Sequence, residues 1–144
     1  PAGSADMVVT FRNIHNWMWQ PGMLDKAMTD FAAALKPGGV LGVEEHRADP
    51  RPETVQGTRA AGDGYVSKST IVAAAIKAGL VLEAESDINA NPKDTKDHPF
   101  GVWTLPPNSR TSQNGVATPA DFNPEKYKAI GESDRHTLRF RKPA

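Results

Sequence analysis

The stretch MVVTFRNIHNWMWQPGMLDKAMTDFAAALKPGGVLGVEEHR, residues 7–47, decides the fold. Its opening run, Met7-Val8-Val9-Thr10-Phe11, is apolar without alternation. That is how a strand buried on both faces reads, as in a parallel sheet covered by helices. From about 21 to 36, Leu24, Met28, Phe31 and Leu35 recur at i, i+4, i+7 and i+11 and form one apolar helical stripe. Pro21 suits the start of that helix, and Lys36-Pro37-Gly38-Gly39 suits its end. A second apolar strand follows at 40–44. Strand, helix and strand of this length make a right-handed crossover unit of a parallel sheet.

Working outward, residues 48–64 are rich in Pro, Gly, Asp and Arg and read as a loop, with GDG at 62–64 a turn. Ser67 can cap a helix at 68–78, and Gly79 can end it in the left-handed conformation. Its apolar face is Ile71, Val72, Ala75 and Ile76. VLEAESDI, 81–88, alternates apolar with acidic residues, which fits a strand near the sheet edge. Residues 89–122 are mostly irregular, with a strand-like VWTL at 102–105. Asn123 caps a short helix at 124–130, with Pro124 at its first position and Gly131 beyond it. TLRFRK, 137–142, is a last strand with Leu138 and Phe140 inward. The expectation is a single α/β domain over residues 1–144, with about four strands. The 7–11 strand reads as interior, yet nothing before it supplies a second neighbour. Its open edge invites another chain.

Composition narrows the function. The chain has 144 residues, 38% hydrophobic and 24% charged, with a net charge of zero. Nothing in that balance argues for nucleic acid or an anionic membrane. There is no cysteine, which removes disulfides, thiolate nucleophiles and zinc–cysteine sites. No apolar run approaches the ~20 residues of a membrane helix.

In open parallel sheets ligands bind beyond the carboxyl ends of the strands. Three polar clusters fall there. Arg12, Asn13, His15, Asn16 and Trp17 follow the first strand, and Glu44, Glu45, His46 and Arg47 follow the second. Asn89, Asn91, Asp94, Asp97, His98 and Trp103 follow the third. Each has a structural reading too. A lone loop histidine is ordinary, tryptophans cover sheet edges, and PKDTKDH can be a solvated loop. Convergence at one end of the sheet favours a site. A histidine beside a carboxylate can act as general base, and His15 and His46 lie at adjacent strand ends. A metal could take His15, His46, His98 and Asp97, although no pair has a tight ligand spacing. No GxSxG elbow, GxGxxG after a strand or P-loop is present.

ADMVVTFRNIHNW, ALKPGGVLGVEEHRA, GYVSKSTIVAAAIKAGLVLEAESDINANPKDTKDHPFGVWTLPP and AIGESDRHTLRFRKP together resemble a bacterial family of class I S-adenosylmethionine-dependent methyltransferases. LKPGG before a strand is common to many such enzymes. TFRNxHNW and INANPKDTKDHPxGVWTLPP are more specific. The resemblance implies a partial Rossmann-like sheet, in which 7–11, 40–44, 81–88 and 137–142 are the family's fourth, fifth, sixth and seventh strands. The last inserts antiparallel between the fifth and sixth. The family's glycine-rich loop after strand one and acidic residue ending strand two, which bind S-adenosylmethionine, are not in this sequence. The resemblance therefore implies the C-terminal, substrate-side part of a methyltransferase, inactive without an N-terminal cofactor-binding half.

It also implies catalytic roles for His15, Asn16, Glu45 and His46, and substrate binding by Arg12, Asn13, Trp17, Asn91, Asp97, His98 and Trp103. The expected partners are a small-molecule substrate and either the N-terminal half or a second copy of the chain, meeting the 7–11 edge. Neither nucleic acid nor membrane is expected; a bacterial cytoplasm or periplasm both fit. Two alternatives stand beside this reading. One is a non-catalytic module that dimerises through the open strand; the other is a small metal enzyme using His15, His46 and His98.

Overall fold

The computed structural model of the chain describes residues 1–51, 55–56 and 59–144. Strand β1 runs Ala5–Phe11, and a single helical turn, α1, spans Ile14–Trp17. Helix α2 covers Met23–Ala34, and its last residue leads directly into β2, Leu35–His46. A two-stranded hairpin joins β3, Val55–Gln56, to β4, Arg59–Ala60. Helix α3, Lys68–Lys77, leads to β5, Val81–Ser86. A 3-10 turn at Gly101–Thr104, helix α4 at Pro124–Ile130 and strand β6 at Arg135–Arg141 complete the order.

The main sheet has the order β1-β2-β6-β5. β1 pairs parallel with β2, and β6 lies antiparallel between β2 and β5. This is the mixed Rossmann-like sheet that the family resemblance implies, last strand inserted antiparallel. β2 and β5 therefore run the same way. Successive right-handed crossovers in one direction across a sheet put their helices on the same face. Accordingly Met28 and Ala32 of α2 and Ile71, Ala74 and Ala75 of α3 share one core with Leu41, Val43, Leu138 and Phe140.

The opposite face is bare in this chain, which corrects the expectation that β1 is buried on both sides. Val8 is half-buried and Thr10 is buried, but Met7, Val9 and Phe11 are 61%, 52% and 53% exposed. Both crossover helices lie on the Val8 side. Among the described residues no strand lies beyond β1, so its outer edge is open there.

Local chemistry explains the boundaries. Asn123 Oδ1 accepts from the Glu125 N–H at 3.0 Å, capping α4 as its sequence predicts. Gly79 takes φ +87 after α3. Ser67 precedes α3 but makes no side-chain cap; its hydroxyl donates to the Arg51 carbonyl. VWTL is not a strand. The Val102 N–H donates to the Asp63 carbonyl at 2.9 Å, and the segment coils as a 3-10 turn against the 62–64 turn. The fit leaves no room for side chains. A Cβ on Gly101 would lie 2.6 Å from the Asp63 carbonyl oxygen, and one on Gly64 would lie 2.4 Å from Val102 Cγ1. The GDG turn thus holds Val102 and Trp103 against the end of the sheet.

Candidate active site

The carboxyl ends of β1 and β2 open onto a cleft of about 570 Å³. β1 leaves the sheet at Arg12, a non-glycine residue at φ +53 whose N–H still donates to the Glu44 carbonyl at 2.8 Å. That left-handed residue turns the chain sharply into α1 and brings His15 back over the end of β2. There Glu45 is fully buried. Its Oε2 accepts the His15 backbone N–H at 3.0 Å and its Oε1 accepts the His46 backbone N–H at 2.8 Å. The His15 Nδ1 lies 3.1 Å from both carboxylate oxygens. A carboxylate at Nδ1 selects the tautomer with its proton there and leaves the lone pair on Nε2. His15 lines the cleft, so the arrangement is a buried carboxylate orienting an imidazole.

His46 stands beside it, ring centroids 5.4 Å apart. Its Nδ1 bonds the Ser133 hydroxyl. Burial, then the neighbouring charges of His15, Arg135 and Arg12, hold the His46 pKa down to about 3. It is a neutral imidazole in ordinary conditions. Trp19 and Trp103 set their ring planes at steep angles to His15, with centroids 5.9 and 5.8 Å away. The rest of the rim includes Arg12, Asn16, Arg110 and Arg135.

Of the residues singled out in the sequence, Arg12, His15, Asn16, His46 and Trp103 line this cleft and Glu45 lies directly behind it. The others go elsewhere. Asn13 is exposed outside the lining and accepts from Asn16 Nδ2 at 3.3 Å. Trp17 turns away onto Phe31 of α2, 5.6 Å between rings, and joins the helix-side core. Two residues along a helix lie on different faces, so Trp17 cannot follow His15 into the cleft.

Asn91, Asp97 and His98 belong to a separate polar knot. Its centre is Asp94, which accepts from Tyr65 Oη, from the Lys96 and Asp134 N–H groups, and pairs with His98 Nε2 at 2.7 Å. Burial pushes the Asp94 pKa up, but these hydrogen bonds outweigh it and hold the carboxyl below its usual range. Asn91 Nδ2 donates to the Ile130 and Glu132 carbonyls, and the exposed Asp97 accepts from Thr95. None of the three lines the cleft.

Trp19, Arg110 and Arg135 line the cleft without having been singled out. Trp19 follows His15 by four residues, the spacing that places two side chains on one side of a helical segment. Arg135 pairs with His46 across β2 and β6. An antiparallel strand begins beside its neighbour's carboxyl end, so its first residue reaches the same rim. Arg110 carried no sequence signal.

One group of described residues could hold a metal ion. His15, Glu45 and His46 each offer a ligand atom, all within 4.8 Å of one another. His98 is not among them.

No protein-family model and no curated protein matches the chain. Solved structures do. The [4+2]-cyclase SpnF matches with a TM-score of 0.60 and 18% identity, over 100% of this chain and 53% of its own. An S-adenosylmethionine-dependent methyltransferase from Methanosarcina mazei matches at 0.54 with 10% identity, over 99% and 61%. An S-adenosylmethionine-dependent methyltransferase from Mesorhizobium loti matches at 0.50 with 16% identity, over 99% and 63%. The fold is that of the class I S-adenosylmethionine-dependent methyltransferases. The chain spans about half the length of the structures it matches.

Proposed function

We propose that this chain is the substrate-side part of an S-adenosylmethionine-dependent methyltransferase and works with a cofactor-binding half. The observation that carries this reading is the Glu45–His15 pair at the carboxyl ends of adjacent parallel strands, opening onto a cleft. Class I folds place ligands at that end.

The chain's own residues do not fit the cofactor. β1 leaves through Arg12 and Asn13, and β2 ends in Glu44-Glu45-His46. Neither described strand end carries a glycine-rich turn onto a helix N-terminus, the arrangement that resemblance to the family requires. What these residues do is receive an acceptor. Trp103 and Asn16 bound its space, and His15 Nε2 takes a proton from an acidic O–H or N–H. Glu45 holds the imidazole in register and balances the charge it gains. His46, kept neutral, adds no competing positive charge.

The open edge of β1 and the bare Met7, Val9 and Phe11 face are where the cofactor-binding half docks. A polypeptide that doubles this chain's length would match the size of its structural relatives. In light scattering, a monomer that forms a 1:1 complex with such a half supports this, and a stable homodimer points to a second copy instead. With the assembled enzyme, His15→Gln should lower the transfer rate by about 10²–10⁴-fold. An unchanged rate contradicts the role given to His15.

A second reading, a metal centre, is favoured by the 4.8 Å grouping of His15, Glu45 and His46. Against it, the Glu45 oxygens already accept two backbone N–H groups and face His15 Nδ1. Stoichiometric zinc binding lost in His46→Ala would establish it.

A further inference from the structure

The described residues lining the cleft include three arginines and two histidines but no aspartate or glutamate. Two of the arginines are answered from behind. Arg135 lies 3.3 Å from Glu132 and 3.5 Å from Glu44, and Arg12 lies 4.0 Å from Glu44. Arg110 differs. Among the described residues no carboxylate comes within 4.0 Å of it; its Nη1 donates to Gln113 Oε1 at 3.0 Å. Its guanidinium lies 5.4 Å over the Trp103 ring, and its backbone N–H donates to the Trp103 carbonyl at 2.8 Å. A cation fixed in this way keeps N–H groups for a planar anion, the geometry in which arginine binds carboxylates. Two aromatic rings stand beside it in an otherwise mostly polar lining: Trp19 and Trp103, centroids 6.1 Å apart and planes inclined by 55°.

We propose that the acceptor is an aromatic carboxylate, its anionic group held by Arg110 and its ring lying against Trp19 and Trp103. This rests on the methyltransferase reading for the word acceptor, while the binding stands by itself. Arg110 is then a binding residue that sets the approach of the ring to His15, and Arg12 and Arg135 raise the local potential that draws an anion in.

The test is titration of the full chain with 2-naphthoate and with 2-naphthamide, its neutral counterpart of the same shape. Tryptophan fluorescence reports binding, checked by calorimetry. The expected result is at least about tenfold tighter binding of the naphthoate, about 1.4 kcal/mol. Arg110→Gln should remove that preference while leaving the naphthamide affinity unchanged, and Arg110→Lys should keep part of it. Arg139→Gln, on the uncovered sheet face, should alter neither. Equal binding of the two probes, no naphthoate binding, or a preference that survives Arg110→Gln overturns the proposal. Its failure is distinct from failure of the methyltransferase reading. Naphthoate binding without methyl transfer in the assembled enzyme contradicts only the latter; transfer to neutral acceptors without any anion preference contradicts only this proposal.

Discussion

Glu45 is the residue on which the site depends. It is buried and bonded to two backbone N–H groups and one imidazole. Glu45→Ala would strand all three donors in the interior. Breaking a buried charge network in this way costs about 3–5 kcal/mol, which urea denaturation would read as a lower midpoint at unchanged slope. Glu45→Gln fits the space but turns an amide donor toward one of those N–H groups, at about 1–3 kcal/mol. A loss under about 0.5 kcal/mol for either contradicts the account.

The tryptophans make a paired prediction. Trp17→Ala should destabilise the fold by about 2–4 kcal/mol without changing the cleft's affinity for a bound ligand. Trp19→Ala should weaken that affinity at small cost to stability. His15, Glu45 and His46 were readable from the sequence because strand ends announce themselves. Trp19 and not Trp17 joins His15 at the cleft because it lies four residues further along the same helical segment, while Trp17 packs on Phe31.

At the scale of elements, the βαβ unit is legible from apolar runs and an amphipathic stripe, whereas the antiparallel insertion of the last strand follows only from the family resemblance. The segment 89–105 was not. Its polar residues look like a site in one dimension, but Asp94 gathers them into a structural knot. The knot ties the segment to Tyr65 and to Asp134 at the start of β6. Burial and the Asp94 and Asp63 charges push the Tyr65 hydroxyl pKa upward, so it stays a donor. Asp94→Ala leaves Tyr65, His98 and two backbone N–H groups unpaired. We expect a loss of at least about 3 kcal/mol and faster hydrogen exchange along 94–105. Unchanged protection there would contradict the knot's role. The strand-like VWTL failed as a strand for a related reason. Its N–H at Val102 is taken by the Asp63 carbonyl of a turn, a partner no periodicity reveals.

For the molecule as a whole, acid sensitivity follows from buried imidazoles. Burial holds His46 near 3 and, with the Arg47 charge, His136 near 4, against 6.5 in a free chain. Between about pH 6.5 and 4 the unfolded chain therefore binds more protons than the folded one, and stability falls as pH falls. Each group contributes up to about 1.4 kcal/mol per pH unit across that window. Asp134 adds a second loss lower down. Burial raises its pKa, but bonds from Arg47, Asn91 and Lys96 prevail and hold it near 2. Its contribution disappears as pH drops from about 3.8 toward 2. Urea midpoints that stay level from pH 7 to pH 4 would contradict this.

The same scale holds the central claim. The sheet, with one face and one edge uncovered among the described residues and a chain about half the length of its structural relatives, is the acceptor side of the proposed methyltransferase. The direct measurement is calorimetric titration with S-adenosylmethionine, first of this chain alone and then of the chain joined to a half carrying the glycine-rich strand–loop–helix. The account predicts no binding by the chain alone and saturable one-to-one binding by the joined protein. Binding of S-adenosylmethionine by this chain alone, or none by the joined protein, would contradict it.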